Sequence, residues 1–158
     1  MKYFRSISLI GLVLVLVLCF DAVCFGQAWR DIAPLKSVRS EVESLFGPSS
    51  DPYLASYSLK DGTLFVQYSA GPCLPVREGW NVPEGTVLLV RFEPKTKKRF
   101  SSLKLELSKF RKVEGGDAVG IVNYTNDEEG ITYEVQRGRV DAIEYMPAKR
   151  YDSLRCSQ

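Results

Sequence analysis

Apolar positions recur along this chain with three different spacings, and each spacing predicts a different element. From Ile7 to Phe20 they form a run broken only by Ser8 and Gly11. The basic start Met1-Lys2-Tyr3-Phe4-Arg5 precedes it, and small residues at Ala22 and Gly26 follow. That order is the pattern of a secretory signal peptide. The run falls short of the ~20 residues that span a bilayer. Cleavage after Gly26 is therefore expected, leaving residues 27–158 as one exported domain, large enough for its own core, with no stable membrane anchor. Residues 27–36 read as a lead-in whose Trp29, Ile32 and Leu35 tuck onto that core.

The second spacing is helical. Val38, Val42, Leu45 and Phe46 fall at i, i+4, i+7 and i+8, so Ser37–Phe46 is expected to form an amphipathic helix. Ser37 stands where its hydroxyl can accept a free backbone N–H, and Gly47-Pro48 ends the helix.

The third spacing is the two-residue period of strands. Tyr57–Tyr68 reads as a hairpin around Asp61-Gly62, a preferred pair for a type I′ turn. That turn sets Leu59 opposite Leu64, Tyr57 opposite Val66 and Ala55 opposite Tyr68, all on one face. Phe65 lands on the other face, which implies partial cover there. Thr86–Glu93 is almost continuously apolar and reads as a central strand. Ser101–Arg111 reads equally well as strand or short helix. Ala118–Tyr124, Ile131–Gln136 and Arg139–Met146 form a three-stranded meander, with turns at Asn126–Gly130 and Arg137-Gly138. Apolar Val140 is followed by Ile143, a break in the period of two that predicts a β-bulge near Asp141-Ala142. The expected fold class is α+β: one amphipathic helix packed on a predominantly antiparallel sheet. The order of elements suggests a helix–hairpin–strand pseudo-repeat.

Cysteine count sharpens this picture. Of four cysteines, Cys19 and Cys24 leave with the leader, and Cys73 and Cys156 remain. An even pair in an exported chain points to a disulfide, which would tie the C-terminal segment to the Gly71-Pro72-Cys73 loop. Asp21-Ala22-Val23 before Cys24 lacks the aliphatic first and small last residue of a lipoprotein signal.

Charge narrows the range of partners. The whole chain has 21 basic and 19 acidic residues. Losing Lys2, Arg5 and Asp21 leaves 19 and 18, a net charge of +1. Such balance gives no warrant for nucleic acid. Lys95, Lys97, Lys98 and Arg99 form the one basic cluster and read as a solvated turn.

The chain has no histidine. Ser-His-Asp and Cys-His activation are therefore excluded, as are zinc sites built on Cys and His. No phosphate-cradling or dinucleotide glycine motif occurs. Glu134, Asp141 and Glu144 are the carboxylates that a glycosidase-like pair could draw on. They read instead as a solvated sheet face balanced by Arg137 and Arg139. Asp127-Glu128-Glu129 lacks the ligand spacing of a calcium loop. Asn123-Tyr124-Thr125 fits a glycosylation acceptor but sits within an expected strand, behind a leader of bacterial type. No catalytic, cofactor-binding or metal-ligating residue is assigned. Tyr53, Trp80 and Tyr151, in loops near the expected disulfide, are the candidate binding surface.

Ser37-Val-Arg-Ser-Glu-Val42-Glu-Ser-Leu-Phe46-Gly47-Pro48, followed by a polar loop and a hairpin, resembles the opening of the small outer-membrane assembly lipoproteins of bacteria. The match spans roughly 30 residues, the order of one supersecondary motif. It implies an exported α+β binding module. Absence of a lipidation signal, extra strands and the cysteine pair depart from that family. The expected function is thus a periplasmic or secreted, non-catalytic module that binds another envelope or extracellular protein. A small-ligand or polysaccharide binder, or a histidine-free carboxylate hydrolase, are the alternatives.

Overall fold

A computed structural model describes residues 28–74, 79–115 and 120–156. The expected leader lies outside these residues. Among these residues one α-helix, α1 (Arg39–Phe46), precedes seven strands. They are β1 (Leu54–Ser58), β2 (Gly62–Tyr68), β3 (Val87–Pro94), β4 (Arg111–Glu114), β5 (Ile121–Asn126), β6 (Ile131–Gln136) and β7 (Arg139–Tyr145). All pair antiparallel in one sheet of order β1-β2-β3-β7-β6-β5-β4. The fold class is α+β.

The helix starts one residue later than its hydroxyl cap suggested. Val38 occupies the capping position, bridged to Thr86, and its N–H is accepted by Glu41 Oε2 at 3.0 Å. Ser37 is buried and holds the lead-in turn instead: its Oγ accepts Ala33 N–H at 3.2 Å and donates to Asp31 O at 3.4 Å. Only part of the expected stripe is covered. Val42 is fully buried and Phe46 packs on the core, while Val38 and Leu45 are exposed. Trp29 and Ile32 fill the remaining space. The Trp29 ring lies 5.4 Å from Phe92 and 6.1 Å from Phe46, which in turn lies 5.2 Å from Tyr57. Below them sit Ala55, Leu64, Val66 and Val90, none of them solvent-exposed.

The first hairpin keeps its predicted faces but not its register. Tyr57 pairs with Leu64 and Ala55 with Val66, a slip of two residues from the expected pairing. A slip of two preserves which side chains share a face. The cause lies at Gly62. A type I′ turn needs positive φ at both central residues, and neither Asp61 nor Gly62 has it. Gly62 already belongs to β2 and pairs with Pro94. A Cβ there would lie 2.3 Å from Glu93 O and 2.7 Å from the Phe92 ring, so glycine serves close approach rather than the turn. The second hairpin has the turn that the first lacks: Arg137 and Gly138 have φ of +50° and +73°, between paired Gln136 and Arg139.

The predicted bulge is present. Glu134 pairs with Ala142 and Val135 with Val140, which leaves Asp141 as the extra residue. Of Ser101–Arg111 only Arg111, the first residue of β4, is strand, and none of it is α-helix. Short 3-10 turns at Phe100–Leu103 and Leu107–Lys109 lead into β4. Phe100 stacks on Tyr124 at 4.3 Å, and Phe100 and Phe110 both flank Tyr133. Each half of the sheet therefore runs from an outer edge inward to meet at β3 and β7. An irregular aromatic segment stands in the second half where the pseudo-repeat called for a helix. Among the described residues no helix is long and apolar enough to cross a membrane.

Candidate binding cleft

An open cleft of about 950 Å³ lies at the end of the sheet where β2, β5 and β7 finish. The sheet contributes Gln67, Leu88 and Leu89 to its lining. One wall is the loop that follows β2, clipped to the C-terminal segment. Cys73 and Cys156 are bonded there, with Cα atoms 5.6 Å apart. A small patch of backbone pairing reinforces the clip. Cys73 N–H donates to Trp80 O, Asn81 N–H to Leu154 O and Cys156 N–H to Gly79 O, at 2.8 to 3.0 Å. The rest of the lining comes from the β5–β6 turn and the 3-10 helix Lys149–Leu154, joined by Met146 N–H to Gly130 O at 2.7 Å and Lys149 N–H to Asp127 O at 2.9 Å.

The candidate surface residues divide. Tyr53 lines the cleft and is 46% exposed. Trp80 lines it too, yet is buried, with the Arg155 guanidinium 4.6 Å above its ring. It therefore stiffens the wall more than it presents a platform. Tyr151 is half-buried beside Arg150 and does not line the cleft. The sequence reading missed Leu74, 47% exposed at the mouth, and the sheet positions Gln67 and Leu89. No local signal marks these, because they come together only through the sheet register.

The charges around the cleft cancel locally. Arg111 meets Asp127 at 3.5 Å, Lys149 meets Glu128 at 2.7 Å, and Arg155 meets Asp152 at 2.9 Å. The Glu128 carboxylate raises the Lys149 ammonium above its ordinary range. Exposed pairs of this kind add little stability, but they leave the cleft without a field of one sign. Its chemistry is therefore apolar contact plus backbone and amide hydrogen bonding.

The carboxylates of the helix-free face are arranged differently from the sequence expectation. Arg91, on β3, reaches Glu144 at 2.7 Å, Glu93 at 2.9 Å and Glu134 at 3.0 Å. Burial pulls the Arg91 guanidinium down, but its hydrogen bonds to Glu134, Glu144 and Glu93 outweigh that and hold it raised. Asp141 pairs with Lys97. Arg91 and Lys97 thus balance this face, in place of Arg137 and Arg139. Cross-strand geometry explains the change, since Arg91 stands directly opposite Glu144. Phe65 is half-buried on the same face, opposite Arg91. Asn123 is half-buried within β5, with its Oδ1 shielded from solvent. Among the described residues no group of three or more His, Cys, Asp or Glu is placed to hold a metal ion.

Comparison with protein-family models, characterised proteins and solved structures returns no match to this chain.

Proposed function

We propose that the chain is an exported, non-catalytic interaction module that grips a segment of another envelope or extracellular protein in this cleft. The observation that carries the reading is an open cleft with exposed Tyr53 and Leu74 in its lining and described charges that are already paired. A wall fixed by a disulfide and backbone bonds lowers the ordering cost of binding. Aromatic and aliphatic anchors at the centre of a contact supply most of its energy. The likeness of Ser37–Pro48 to bacterial assembly lipoproteins points the same way. A small ligand or polysaccharide is the second reading, favoured by the cleft volume, which falls within the range of such sites. A carboxylate hydrolase has less support, because Glu134 and Glu144 are both engaged by Arg91.

Site-specific photo-crosslinking in cells that make the protein tests this. A photoreactive residue at Leu74 should give one discrete adduct with a different protein, and one at Ser40 on α1 should not. Absence of any protein adduct, together with a saccharide or metabolite raising the melting temperature, would move the function to the second reading.

A further inference from the structure

The sheet has two outer edges, and the sequence treats them differently. In β4 three of four residues are charged, Arg111, Lys112 and Glu114, and charge is a common guard against further strand pairing. In β1, Leu-Ala-Ser-Tyr-Ser, there is no charge, no proline and no bulge.

Two backbone bonds fix which groups of β1 turn outward. Tyr68 N–H donates to Tyr53 O, and Leu59 N–H donates to Gly62 O, both at 2.8 Å. The odd-numbered residues therefore bond β2. The period of two turns the N–H and C=O of Leu54, Ser56 and Ser58 away from it. Leu54 N–H is accepted by Asp51 Oδ1 at 2.9 Å, which closes that end. Ser56 and Ser58 are exposed, and their outward backbone groups bond no described atom. Apolar side chains flank the same edge. Leu54 is 52% exposed, and Leu45 is 62% exposed on the last turn of α1, next to the Phe46 that packs on Tyr57.

We propose that this edge pairs antiparallel with β1 of a second copy of the chain, about a twofold axis at Tyr57, joining the two sheets into one. In that register Ser56 faces Ser58 of the second copy, and each donates its N–H to the other's C=O. Every open group of the two serines is then satisfied in both copies, without calling on the Leu54 N–H that Asp51 holds. Tyr57 stands opposite its own mate across the axis while its ring stays packed on Phe46. An axis at Ser56 would instead bring Asp51 opposite Asp61 of the second copy, two like charges. A strand free of charge that complements itself fits the isologous contact of a twofold dimer.

Sedimentation velocity on protein purified from cells expressing the full-length sequence, with the leader's presence fixed by intact mass, tests the proposal. A reversible monomer–dimer equilibrium is expected, with Ser56 and Ser58 amide exchange slowing as concentration rises. Ser56→Pro removes an outward N–H that β2 does not use, so the fold should survive as edge prolines do. Two lost hydrogen bonds per dimer, at about 1 kcal/mol each, weaken association about 30-fold. Ser58→Lys should weaken it as well by placing a guard charge on the edge, while Ser56→Ala should dimerise like the parent. A chain that stays monomeric at millimolar concentration overturns the proposal. So does a dimer unmoved by Ser58→Lys, or one whose Ser56 and Ser58 amides exchange as in the monomer.

Discussion

Replacing Gly130 by alanine measures how closely the cleft wall is fitted to the sheet. Gly130 has φ of +69°, and an added Cβ would lie 2.2 Å from Met146 O and 2.8 Å from Ala148 N. The obstacles are backbone atoms, so no side-chain rotation relieves them. Gly138 provides the control. Its φ is +73°, and nothing lies within 4 Å of its added Cβ. Alanine at Gly138 therefore pays only for the left-handed backbone, about 1–2 kcal/mol. At Gly130 the same cost is joined by overpacking of about 1–3 kcal/mol. Weakening of the 2.7 Å bond from Met146 N–H to Gly130 O adds to it, at about 1 kcal/mol. The expected total is ~3–6 kcal/mol, so the two variants should differ by at least ~2 kcal/mol. Urea unfolding monitored by tryptophan fluorescence reads both, provided the denaturant slope is unchanged. If the two variants lose equal stability, the close packing of the wall against Gly130 is wrong.

Two further outcomes follow from the same geometry. Cys73→Ser with Cys156→Ser opens a loop of 83 residues' separation and should cost up to about 4–5 kcal/mol by chain entropy. The surviving backbone bonds around Trp80 should keep the fold, and a double variant as stable as the parent would remove the clip from this account. Acid is the second. Glu43 is held below its ordinary 4.5, first by the Arg39 guanidinium and then by Ser49 N–H, and Asp51 below 3.8 by the N–H groups of Tyr53 and Leu54. A depressed carboxylate adds stability above its unfolded value and loses it as pH falls through the folded one. The melting temperature should therefore drop as pH falls below about 4.5. Glu43→Gln with Asp51→Asn should flatten that drop, and an unchanged slope would refute the assignment.

What the sequence reveals, and what it hides, differs by the range of the forces involved. The bulge at Asp141 is legible because Val140 and Ile143 both need the apolar face, and that need is written in adjacent residues. The face of the first hairpin is legible for the same reason. Its register is not, because a two-residue slip leaves every face unchanged and the deciding contact, Gly62 against Phe92 and Glu93, is distant in sequence. Ser37 looks like a helix cap, yet its hydroxyl is taken by Ala33 and Asp31. Leu103–Leu107 alternates in polarity without forming a strand or an α-helix, since Phe100 and Phe110 are fixed by aromatic rings of β5 and β6. In the cleft, Tyr53 and Trp80 are predictable as loop aromatics near the cysteines. Tyr151 is the same kind of residue but lies off the lining. Leu74, Gln67 and Leu89 become neighbours only once strands far apart in sequence are in place.

The meeting of β3 and β7 at the middle of the sheet has a consequence for how the molecule matures. Val90 pairs with Tyr145 and Phe92 with Ile143, so the seam joins segments more than fifty positions apart. Until β7 arrives, β3 offers an unclosed row of hydrogen-bonding groups, a template for aggregation. Contacts of such long range also slow folding into the millisecond-to-second regime. The centre of the sheet can therefore close only once β7 is present, and until then the β3 edge needs cover.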